Sequence, residues 1–157
     1  MTIGPDDGRS AIVHGTALAL NDRGILLLGQ PGSGKSDLAL RLIDSGAKLI
    51  ADDAVLLTAS DKPQLGRCLL SPLAGASGKL MVGAIGIVKL APACVAGASL
   101  LSLAVNLDPP QAMPTDSFAA LGQWQGLTDR PVPLIHLQAF EISSVNKVIL
   151  ALGRWGF

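Results

Sequence analysis

Lys35 and Ser36 close the run Gly29-Gln30-Pro31-Gly32-Ser33-Gly34-Lys35-Ser36, which fits G-x-x-x-x-G-K-[ST] at every fixed position. The chemistry of such a run is the handling of nucleotide phosphates. Its glycines let the backbone turn tightly and aim N–H groups at phosphate oxygens. The ammonium of Lys35 reaches the outer phosphates, and the Ser36 hydroxyl becomes a ligand to Mg²⁺. Asp52 and Asp53 form a second cluster, set between the apolar runs Ala47–Ala51 and Ala54–Leu57. Two adjacent carboxylates in such surroundings are costly without a partner or a task. At a strand end beside a phosphate loop, such groups bind Mg²⁺ or take a proton from a nucleophile. The plainer reading is an acidic turn between two strands. His14 is the third candidate, and a histidine in a strand is as readily structural as functional.

Elements must place these groups together. Ile25–Leu28 is an uninterrupted apolar run, which predicts a strand buried on both faces and leading into the glycine-rich run. Leu38, Ala39, Leu40, Leu42 and Ile43 predict a helix closed by Ser45-Gly46. A helix starting at the phosphate adds its free N–H groups and positive dipole end. Ile12–Leu20 reads as one strand, and Asn21-Asp22-Arg23-Gly24 as a turn. That hairpin would return His14 to the phosphate end of the Ile25–Leu28 strand. Further on, residues 58–79 read as loop with a short strand near Arg67–Leu70. Leu80–Val88 is apolar with small breaks, and Leu100–Leu107 is a strand. Asp108 to Gly126 reads as a mobile loop over the site. Pro133–Leu137 is a last short strand, and a helix is expected from Val145 to Leu152, ending at Gly153. His136 is read as structural.

Composition bounds the class. The chain has 157 residues, of which 49% are hydrophobic and 15% charged, with zero formal net charge. With a mean hydropathy of +0.47, this fits one α/β domain over residues 1–157, with residues 1–10 flexible. The absence of a basic block argues against nucleic acid as a partner. Cys68 and Cys94 show no metal spacing, so a reduced cytoplasmic setting is expected. The N-terminal MTIGPDDGRS lacks the pattern of a signal peptide. Leu90–Leu107 carries no charge, yet Pro92, Gly97, Ser99, Ser102 and Asn106 interrupt it. A turn followed by a strand is expected there, not a membrane span.

Taken together, these motifs resemble the catalytic domain of bacterial HPr kinase/phosphorylase. His14-Gly15 precedes the phosphate loop by that family's spacing, and Gly29–Ser36 is the loop itself. Gly46-Ala47-Lys48-Leu49-Ile50-Ala51-Asp52-Asp53-Ala54-Val55 is similar to the family's G-x-x-L-V-A-D-D-x-V segment. Gly83-Ala84-Ile85-Gly86-Ile87 resembles the end of the signature E-x-R-G-x-G-[IL] more weakly. The resemblance covers most of residues 11–107. It implies an α/β, P-loop-containing, phosphoenolpyruvate-carboxykinase-like nucleotide-binding fold with a mixed sheet. The implied activity is that of an ATP- and Mg²⁺-dependent protein-serine kinase. Its substrate would be a small phosphocarrier protein of the sugar or nitrogen phosphotransferase system. By the family's pattern Asp53 accepts the serine proton, while Lys35 and Ser36 handle phosphate and metal, with Asp52 as a further metal ligand. His14 supports the charges around them. The resemblance also implies a hexamer and, because the chain starts at the catalytic domain, a short form of the family.

Two positions depart from the pattern. The signature's glutamate, a Mg²⁺ ligand in the family, aligns with Met81, and its arginine with Gly83. A thioether is a poor ligand for Mg²⁺, which takes hard oxygen donors. The segment Asp108–Asp116 has no Arg or Lys where the family carries an arginine tied to the reverse reaction. The expectation is a kinase of weakened activity, with little or no phosphorylase activity. Two alternatives stand beside it: a nucleotide-binding regulatory module with impaired catalysis, and a P-loop kinase of small molecules.

Overall fold

The structure is a computed structural model and describes residues 2–3, 9–60, 67–108, 122–128 and 130–156. Strand β4 (Arg23–Leu28) is its central element, with Ile25, Leu26 and Leu27 fully buried. It pairs antiparallel with β3 (Thr16–Leu20) on one side and parallel with β10 (Ser99–Asn106) on the other. An apolar run without alternation forms here because both faces of β4 are covered. Ile25 and Leu27 pack under helices α1 (Lys35–Asp44) and α2 (Ser144–Trp155), whereas Leu26 belongs to a second core on the opposite face.

Around this pair, ten of the described strands form one mixed sheet. Its order is β1 (Thr2–Ile3), β2 (Ser10–His14), β6 (Ala54–Ala59), β7 (Cys68–Pro72), β10, β4, β3 and β5 (Lys48–Ala51). Strand β12 (Val132–His136) adds parallel to the far end of β10, and β11 (Gly122–Trp124) pairs antiparallel with β12. The sheet curls, so that β5 packs on β7 and β3 on β6 although neither pair is adjacent in the strand order. Leu26, Ile50, Val55, Leu57, Leu70 and Leu101 fill the interior of that curl. In β10 a register shift between Leu101 and Leu103 turns Leu101 toward the curl and Leu103 toward the helices. A one-residue slip of this kind exchanges the faces of a strand, so Leu101 and Leu103, two residues apart, enter different cores.

Three expectations from the sequence need correction, and one segment left open, Leu80–Val88, takes a definite form. Ile12–Leu20 is two strands, because the chain bends at Gly15 and β2 leaves to pair with β6. Gly15 donates its N–H to the Asp53 carbonyl at 3.1 Å, and a Cβ on it would lie 2.6 Å from the Leu27 carbonyl oxygen. Leu80–Val88 is a separate hairpin of β8 (Lys79–Val82) and β9 (Gly86–Lys89), turned at Gly83-Ala84-Ile85, with Ala84 at a φ of 65°. Part of the expected mobile loop, residues 109–121, lies outside the described residues, while Gly122–Trp124 within it is strand β11. Helix α2 runs past Gly153 to Trp155, since neighbours such as Leu152 are buried and outweigh the low propensity of one glycine.

Among the described residues no helix is long and apolar enough to cross a membrane. The uncharged Leu90–Leu107 segment becomes a short 3-10 turn at Pro92–Cys94 followed by β10.

The close approach at Gly15 yields a test of the fold. Gly15→Ala drives a methyl group into a backbone oxygen, an overpacking that costs about 1–3 kcal/mol. The thermal midpoint of the variant is expected to fall by about 2–4 °C for each kcal/mol lost. An unchanged midpoint in calorimetry would refute the tight bend.

Candidate active site

The strand β4 delivers the glycine-rich run to the N-terminus of α1. There the carbonyl of Gly34 accepts the first helical bond, from Leu38 N–H at 2.9 Å. Gly34 has a φ of 94°, and a Cβ there would lie 2.6 Å from the Ala139 methyl and 3.0 Å from the Phe140 ring. Both the backbone angle and the space demand glycine. Lys35 is 9% exposed, and its ammonium folds back on its own loop. It donates to the carbonyls of Gly29 at 2.6 Å and Gln30 at 3.0 Å, with Ser33 Oγ at 3.5 Å. The positive charge is therefore held in the cradle by neutral oxygens.

The carboxylates lie beside this cradle in the turn between β5 and β6. A turn, rather than a continuing strand, lets both of them line the cleft, with Asp53 in the left-handed region at a φ of 67°. Asp52 Oδ1 accepts from the hydroxyl of buried Thr16 at 2.7 Å and lies 3.4 Å from Ser36 Oγ. Asp52 Oδ2 accepts from the Met81 backbone N–H at 2.9 Å. Asp53 points outward, with its side chain 82% exposed and Oδ1 3.3 Å from His14 Nδ1. His14 reaches it because β2 and β6 put His14 opposite Ala54. Its position is thus set by β6 and not by the expected hairpin with β4.

These groups open into one cleft of about 910 Å³. Of the residues singled out from the sequence, it is lined by His14, Pro31, Gly32, Gly34, Lys35, Ser36, Asp52 and Asp53. Gly29, Gln30 and Ser33 are not part of its lining and instead hold the lysine. Met81 also borders the cleft and is 50% exposed. Away from the cleft, partial burial and the like charge of Arg130 hold the Arg67 guanidinium below its ordinary pKa.

The family model for the HPr Serine kinase C-terminal domain matches residues 8–151. The chain belongs to this family. Among its relatives, the HPr kinase/phosphorylase of Clostridium acetobutylicum is 39% identical over 90 residues, which are 57% of this chain and 28% of that protein. The HPr kinase/phosphorylase of Neisseria meningitidis is 48% identical over 60 residues, 38% of this chain and 19% of the relative. The matched segments thus span less than a third of these relatives. The solved structure of the Hpr(Ser) kinase/phosphatase from Coxiella burnetii is similar over most of the fold. It has a TM-score of 0.74 and 25% identity, and the match covers 92% of this chain and 88% of that one. The α/β fold with its mixed sheet is accordingly that of the HPr kinases.

Three residues at the site escaped the sequence reading. Thr16 gives no signal, since a threonine in a strand is ordinary. Asp108 accepts from the Gln30 N–H at 2.7 Å and so ties the end of β10 to the loop. Its signal was available: like Asp52, it is an aspartate closing an apolar strand. Phe140 lies far from the motifs in sequence and meets them only through the fold.

The Thr16–Asp52 bond is testable. Thr16→Val keeps the shape and removes the donor, and a hydrogen bond to a charged group contributes about 1.5–3 kcal/mol. The denaturation midpoint should drop accordingly at constant m-value, and Thr16→Ser should recover most of it. Equal stability of the valine variant would show that water satisfies Asp52 as well.

Proposed function

We propose that this domain is an ATP- and Mg²⁺-dependent protein-serine kinase whose substrate is a small phosphocarrier protein of the HPr type. The observation that carries the proposal is the pairing of two differently held carboxylates beside one phosphate cradle. Asp52 is fixed by three donors, while Asp53 stands exposed on the rim, paired with His14. The names of the relatives, HPr kinase/phosphorylase, support the same reading.

The residues present fit the implied groups. Gly32, Gly34 and the start of α1 offer backbone N–H groups to the triphosphate of ATP, and Lys35 has only to leave its loop carbonyls to reach it. Ser36 Oγ and the Asp52 carboxylate are adjacent hard oxygen donors suited to Mg²⁺. Mg²⁺ binds through one or two carboxylates together with nucleotide phosphates. ATP would supply the phosphoryl group, and Mg²⁺ would neutralise charge that develops on it.

The chain's own residues do the rest. Asp53 Oδ accepts the proton of the incoming serine hydroxyl, and His14 Nδ1 holds that carboxylate in place. The exposure of Asp53 has a further meaning: a hydroxyl on the surface of another protein can reach it. A base at the bottom of a closed pocket would serve a small molecule instead. The proposal extends to a cytoplasmic homo-hexamer, which light scattering tests.

One observation favours a second reading, a nucleotide-sensing module of low turnover. Met81 lines the cleft beside Ser36 and Asp52 and offers no oxygen donor from its side chain; the sequence resemblance sets it opposite the signature's glutamate, which would reduce the carboxylate supply for Mg²⁺. Both readings meet in one assay, phosphoserine formation on HPr-type proteins with ATP and Mg²⁺. Asp53→Asn should lower the rate by about 10²–10⁴-fold while nucleotide affinity stays the same. Full activity of that variant would remove Asp53 from the chemistry. In parallel, Met81→Glu is expected to raise the rate; nucleotide-dependent partner binding with no phosphate transfer by the unmodified chain would favour the second reading.

A further inference from the structure

We infer that Phe140 is the stacking platform for the base of the bound nucleotide. This rests on the nucleotide site proposed above and assigns its other end. The α1 N-terminus has two flanks. On one, β8 packs against α1 and β5, which brings Asp52, Asp53 and Met81 beside Ser36. On the other, α2 packs against α1 and β10. In a cradle of this type the lysine and the Ser or Thr that follows it serve the outer phosphates and the metal. The outer end of the triphosphate therefore points to the acidic flank, and the base end leaves toward α2.

Phe140 lies on that second flank. It is 70% exposed, lines the same cleft, and has ring carbons 3.0 and 3.2 Å from the place a Cβ on Gly34 would occupy. The ring is thus adjacent to the phosphate cradle. Its backbone is held firmly for so exposed a side chain. The Arg41 guanidinium donates to the carbonyl of Ala139, to that of Glu141 at 3.4 Å and to Ser144 Oγ at 2.9 Å. Glu141 in turn pairs with Lys147 at 2.5 Å. An exposed aromatic ring on a clamped turn is a preorganised surface, and a ligand that stacks on it does not have to order the turn first. A purine fits, since every base offers a π-face.

The test compares ATP with inorganic tripolyphosphate, both with Mg²⁺, by titration calorimetry on the whole chain. The two ligands share the phosphates and differ by the nucleoside. Phe140→Ala and Phe140→Leu should weaken ATP about 5- to 100-fold and leave tripolyphosphate unchanged, while Phe140→Trp should restore ATP. A thermal midpoint equal to that of the unmodified chain establishes that each variant is folded. Unchanged ATP affinity in the alanine variant overturns the inference, and so does equal weakening of both ligands, which would make Phe140 a support of the cradle. If the unmodified chain binds tripolyphosphate and ATP equally, the phosphate site stands and the base platform falls. If it binds neither, the nucleotide site falls with it.

Discussion

The carboxylate of Asp52 is where three otherwise separate parts of the molecule meet. Thr16 comes from the strand beside β4, Ser36 from the first turn of α1, and the Met81 N–H from the β8–β9 hairpin. That hairpin makes no strand pair with the main sheet, so its place beside the cleft rests on the packing of Leu80 and Val82 in the helix-side core and on this bond. A half-buried carboxylate is stable there because its oxygens face donors. Remove the charge or the donors, and the acidic flank of the cleft loses its common anchor.

The second constraint is steric and lies at Gly15. Because the chain can pass against the Leu27 carbonyl there, it turns from one half of the curled sheet to the other within a single residue. The same residue bonds the Asp53 carbonyl. His14 and Asp53 are neighbours as a result, although one belongs to β2 and the other to the turn before β6. The curl of the sheet and the make-up of the cleft rim are therefore one structural fact.

The cleft is chemically two-sided. Its β8 side presents carboxylates and a hydroxyl, its α2 side an aromatic ring, and Lys35 lies between them, bonded for now to its own loop. Oxygen donors on one side suit a hydrated cation and phosphate, and the apolar side suits a flat organic group. Met81 is the discordant member, because it puts a soft, apolar atom among hard donors. Its backbone serves the acidic side while its side chain does not.

The local machinery is legible in short-range spacing alone. The glycine-rich run with its lysine and serine, the strand before it and the helix after it are short-range matters of spacing and apolar pattern, and they stand where expected. Most strands were legible for the same reason. What depended on contacts between distant segments was not legible. The break at Gly15 follows from an oxygen that another strand supplies, and α2 passes Gly153 because the sheet covers its buried face. Asp53 reaches the cleft together with Asp52 because the pair sits in a turn, where strand alternation no longer applies. Phe140 and Asp108 join the phosphate loop only once α2 and β10 are packed beside it. Local spacing fixes which groups a segment can offer. The packing of segments remote in sequence decides which of those groups share a site.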